Sequence, residues 1–255
     1  MKTYRTFWVL LGGFAVSFIA IFYFIANRFM ASSESHQEEM AKKLFGNPFA
    51  FPKVWLTSSW FGGIFFVIVG MLFILLITNE VQYKTHRQNI IDGWSRFDFL
   101  KAKFTMLIFL TIVSTIVVLI AGLLVGAAST PANESYSFFG EFYYIGYFIL
   151  MVVAYLMVAF VIAILIKRTG LSIIIYFGFV FIIDNLLWIL LTYKHSQVGY
   201  FLPLESTDSL VHNPFNTIFQ YRTVSDLSLI ITALAYITLF GVFITNYFKR
   251  IDLKN

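Results

Sequence analysis

The sequence predicts an all-α integral membrane protein with six transmembrane helices. Two observations carry that expectation. Hydrophobic residues make up 59% of the 255 positions and charged residues only 12%, about half the charged share of a soluble domain. A soluble fold has too little interior to hide so much apolar surface. The apolar residues also collect into six runs of roughly the 20 residues that cross a bilayer. These are 6–26, 55–77, 104–128, 142–166, 171–191 and 227–247. Backbone amides find no water in lipid, so each run is expected to be helical. The whole chain, 1–255, reads as one transmembrane domain.

The first run follows Lys2 and Arg5, as a signal peptide would. It exceeds the roughly 7–15 residues of a signal core, and Asn27-Arg28-Phe29-Met30 follows where a small-residue cleavage site would stand. It is therefore read as a retained span. Orientation comes from the basic residues. With the N-terminus inside, 12 of the 18 Lys and Arg fall in segments 1–5, 78–103, 167–170 and 248–255, and 6 fall on the opposite side. Both termini are thus expected in the cytoplasm. Trp55, Trp60, Tyr143, Tyr144 and Trp188 suit one interface, and Tyr4, Trp8 and Tyr247 the other.

Between spans, residues 27–54 predict a short amphipathic helix followed by a turn. In 192–226, Pro203 and Pro214 act as breakers, and Asn213–Phe219 reads as a short surface-lying or re-entrant element. Gly122 and Gly126 form a GxxxG pair; Ser59 with Gly63, and Gly13 with Ser17, are small-residue pairs that permit close helix approach, within the chain or in a dimer.

Several chemistries lack their residues. There is no cysteine, which excludes disulfides and thiolate metal ligands. No Gly-Lys dipeptide occurs, so the phosphate-binding loop of nucleotide hydrolases is missing. The four histidines lie outside the spans without an H-E-x-x-H pattern, and only one aspartate lies within a span, against the two an aspartyl protease needs. No catalytic residue, metal site or bound cofactor is expected, and the scattered basic residues do not make a nucleic-acid surface.

Two places carry function in this reading. Asp184, beside Asn185, is the ionisable residue inside a span; such a group is costly unless paired, hydrated or protonated, and marks either a substrate path or a structural polar contact. The second place is Asn79–Lys103, the longest well-charged membrane-proximal stretch. Ile90, Trp94 and Phe97 share a helical face, so part of it is expected to lie along the inner leaflet as an amphipathic helix. Gly93 breaks that helix, and Ser95-x-x-Asp98 is a capping box that starts the third span.

This second stretch resembles the cytoplasmic segment of ABC-2 type transporter permeases. The family pattern is an acid, a Thr a few residues on, a Ser-Arg pair and a Lys entering the third helix. Glu80, Thr85, Ser95-Arg96 and Lys103 stand at those positions. Many members carry a proline before the Ser-Arg pair, where this chain has Asp92-Gly93-Trp94. The six-span plan with both termini inside also matches, so the resemblance covers the whole chain. It implies a permease subunit in a bacterial inner membrane, forming a homodimer or heterodimer with a second permease amid membrane lipids. ATP and magnesium would bind a separate ATPase subunit. Glu80, Lys84, Thr85, Arg87, Trp94, Arg96 and Lys103 would couple that subunit to the spans, moving a lipid, peptide antibiotic, drug or ion. The competing readings are an ion-coupled secondary carrier working through Asp184, and a non-transporting immunity or scaffold protein.

Overall fold

A computed structural model describes residues 5–31, 47–82, 95–131, 137–193, 196–215 and 224–250. All regular structure among them is helical. The long helices are α1 (Arg5–Ala31), α2 (Val54–Gln82), α3 (Arg96–Ser129) and α4 (Tyr143–Ile166). The fifth span is composite: α5 (Thr169–Gly178), a π-helical turn (Phe179–Ile183) and α6 (Asp184–Thr192). A 3₁₀ turn (Val198–Phe201), the one-turn helix α7 (Glu205–Asp208) and α8 (Asp226–Arg250) complete the order. Six helical stretches are long and apolar enough to cross a membrane, which makes this a multi-pass membrane protein.

The helices overrun the apolar runs. α2 continues to Gln82, and α3 begins at Arg96, well before the apolar run at Phe104. Backbone hydrogen bonding carries a helix past the lipid boundary until a cap stops it. At α3 that cap is the predicted box. The Asp98 backbone N–H donates to Ser95 Oγ at 3.2 Å, and the Ser95 N–H donates to the Asp98 carboxylate at 3.1 Å. Between α4 and α5, Lys167 adopts φ 58°, the left-handed conformation that ends helices, and its N–H still reaches Ala163 O.

The described chain forms two compact units. The first comprises 1–66, 113–149 and 210–223; the second comprises 67–112, 150–209 and 224–255. In the first unit, α1 buries one stripe: Phe7, Leu11, Phe14, Phe18, Phe22 and Ala26. Steps of three and four keep these on one face of a 3.6-residue helix. Phe18 and Phe22 meet Phe65 and Phe61 edge-on. The predicted glycine pair is spent inside this unit. A methyl on Gly126 would come 2.6 Å from the Phe51 ring, and one on Gly122 3.1 Å from Trp55 and Ser58. Ser59 likewise turns inward, donating to Tyr144 O. Gly13, by contrast, faces open space.

In the second unit, the Phe160 ring meets the rings of Phe73, Phe104 and Phe248. Of the expected element at Asn213–Phe219, residues 213–215 form a turn, and 216–219 lie outside the described residues. In the second unit, 198–208 folds back. The Tyr155 hydroxyl donates to Asp208 at 2.8 and 3.0 Å, and Tyr155 sits about 18 Å along α4 from Tyr143, near its midpoint. α7 therefore lies level with the middle of a spanning helix. Its buried Ser206 and Thr207 hydroxyls donate to Pro203 O and Leu204 O, as non-helical backbone in a water-poor setting requires. The amphipathic helix expected in 27–54 falls largely on 32–46, outside the described residues.

Candidate functional site: a buried carboxylate cluster

The fifth span is mostly exposed except for a stripe at four-residue steps: Ser172, Tyr176, Val180 and Asp184. In a plain α-helix each four-residue step overshoots the face by about 40°. The π turn takes up an additional residue and offsets that drift, keeping Asp184 on the buried side. Asn185 serves this turn, donating through Nδ2 to Val180 O at 3.0 Å, the carbonyl five residues back. Asn185 is thus a structural partner of the π turn.

Asp184 is only 3% exposed. The backbone N–H groups of Leu204 and Glu205 donate to its carboxylate. Its ligand oxygen lies within 4.8 Å of those of Glu205 and Asp208, and theirs of each other. Tyr155 holds Asp208, and Ser209 Oγ donates to Glu205 Oε1 at 2.6 Å. Gly199 lets the 3₁₀ turn approach α6: a methyl there would stand 3.0 Å from Trp188 O. The ordering is thus covalently local and sterically tight, with two glycine- and proline-marked turns delivering two acids to a third.

The expectation of a single embedded carboxylate is therefore corrected: Glu205 and Asp208 join Asp184 at mid-helix level. Hydropathy missed them because 192–226 is too polar to read as a span. The available signal was two acids three apart, bracketed by Phe201-Leu202-Pro203-Leu204 and Leu210-Val211.

The other predicted place is only partly described. Lys84, Thr85, Arg87 and Trp94, with Gly93, lie outside the described residues, and of Arg96 only the backbone position, opening α3, is described. Around them the flanks are clear. Glu80 near the end of α2 and Lys103 in α3 form an ion pair, with Lys103 buried. The Lys103 ammonium also lies 4.9 Å over the Phe99 ring. Beside them, Thr78 and Thr169 share a hydrogen bond of 2.8 Å, and the Thr169 hydroxyl also reaches Asn79 and Gln82.

Compared with protein-family models, curated proteins and solved structures, the chain matches none.

Proposed function

We propose that this chain is the membrane-spanning permease subunit of an ABC-2 type exporter, driven by a separate ATP-hydrolysing subunit docked on 79–103. The observation that carries the reading is the Glu80–Lys103 ion pair. It joins two of the residues on which the family resemblance rests, one in α2 and one in α3. The Ser95–Asp98 box supports it by fixing where α3 begins. A segment so anchored at both ends transmits displacement to two spans at once. The termini, in this reading, face the cytoplasm of a bacterial cell, and two permease chains form the path.

Purification in mild detergent tests this: the chain should bring down a subunit that hydrolyses ATP. Glu80→Ala and Arg87→Glu should each uncouple hydrolysis from transport. Unchanged coupling in both variants would remove the docking role.

One observation favours a second reading, an ion-coupled carrier: three clustered carboxyl groups, one of them held by Tyr155 at the middle of α4. That reading expects transport that needs an ion gradient and proceeds without ATP.

A further inference from the structure

The carboxyl groups of Asp184, Glu205 and Asp208 sit together away from most solvent. Among the described residues, no lysine or arginine pairs with any of the three. Carboxylates at this depth are costly unless compensated. Their hydrogen bonds come from neutral donors: two backbone N–H groups, one serine and Tyr155.

Two further atoms are left over. Asp184 Oδ1 and the Tyr176 hydroxyl are buried without a hydrogen-bond partner. Tyr176 is fully buried, comes from outside the acidic cluster, and sits close enough for its hydroxyl and Asp208 to interact electrostatically. Its ring end fits against Gly70, where any side chain would collide with the hydroxyl. Orphaned polar atoms in a native interior call for a partner.

We propose that Asp184, Glu205 and Asp208, with the Tyr176 hydroxyl beside them, form a binding site for a divalent cation of the calcium class. All the donors are hard oxygens, the set that calcium and magnesium prefer over zinc or copper. Coordination habit separates the two. Calcium takes about six to eight oxygens in flexible geometry, several carboxylates among them, whereas magnesium keeps several waters and is held through one or two carboxylates. Three acids whose oxygens all lie within 4.8 Å of one another match the calcium habit. Tyr155 on Asp208, and the Leu204 and Glu205 amides on Asp184, orient the ligands from behind, as supporting shells do. Water completes the coordination. Because two acids come from 198–208 and one from α6, the ion also ties the folded-back segment to the fifth span. The site stands whether or not the chain is an ATP-driven permease.

Terbium, a luminescent calcium substitute excited through nearby tyrosine and tryptophan, tests the site on the purified full-length chain in detergent. One saturable site per chain is expected, displaced by calcium at concentrations at least tenfold lower than by magnesium. Glu205→Gln and Asp208→Asn should each weaken binding tenfold or more, and Tyr176→Phe several-fold. Absence of saturable binding would overturn the site, leaving protons to neutralise the acids. So would unaltered affinity in the Glu205→Gln/Asp208→Asn double variant, or magnesium competing as well as calcium. Should the variants fail to fold, the wild-type stoichiometry and ion order decide by themselves. None of these outcomes bears on capture of an ATPase subunit, so the two proposals fail separately.

Discussion

Glu141 shows how a single side chain responds to its setting. It lies just ahead of α4, and partial burial raises its pKa above the usual carboxylate value, with Lys53 opposing the shift. A carboxyl whose pKa rises on folding contributes stability that is complete below its unfolded value of roughly 4.3 and declines as pH rises through the folded value. At neutral pH its charge is therefore a small liability. Glu141→Gln should raise the thermal unfolding temperature at pH 7 and leave it nearly unchanged at pH 4. The gain should stay under about 1 kcal/mol, because solvent screens a half-exposed group. A gain of equal size at both pH values would assign the effect to packing instead.

At the scale of elements, α2 and α3 are linked by one buried charge. Lys103 is 6% exposed and its counter-charge is Glu80. Removing one member of a buried pair leaves the other stranded, which costs about 3–5 kcal/mol in a full interior. Glu80 is 35% exposed, so Glu80→Gln should cost less, about 1–3 kcal/mol. The double variant Glu80→Gln/Lys103→Met should recover most of that loss in thermal unfolding. Additive losses would show that the two side chains act independently.

The same elements show what sequence could and could not disclose. The spans were legible because lipid demands a run of apolar residues, and the start of α3 was legible because a capping box is local chemistry. Asp184 was legible because a charge within an apolar run is conspicuous. Its companions were not, since the fold-back of 198–208 depends on contacts with α4 and α6 that no local pattern encodes. Gly122 and Gly126 illustrate the same limit. Small residues announce close packing, but only the structure shows that their neighbours are Phe51, Trp55 and Ser58 of the same chain.

For the whole molecule, the proposed orientation in the membrane makes a labelling prediction. The basic residues favour both termini on the cytoplasmic side. The absence of cysteine makes the natural sequence a ready background for labelling. Single cysteines at Lys2, Lys101 and Lys254 should be shielded from a membrane-impermeant thiol reagent in intact cells and react after permeabilisation. Cysteines at Lys42 and Arg222 should react from outside in both states. The reverse pattern would invert the topology and place the Glu80–Lys103 pair on the wrong side for any cytoplasmic ATPase.

The π turn at Phe179–Ile183 gives the fifth span the character of a vernier. Its two α segments are two scales set slightly out of phase, and the turn between them is the offset. Losing one residue within 179–183 would restore a single scale and swing the α6 half through about 100° relative to α5. Ser172 and Tyr176 would keep their places while Asp184 turned toward lipid. One inserted amino acid thus decides whether a carboxylate faces its partners or the bilayer.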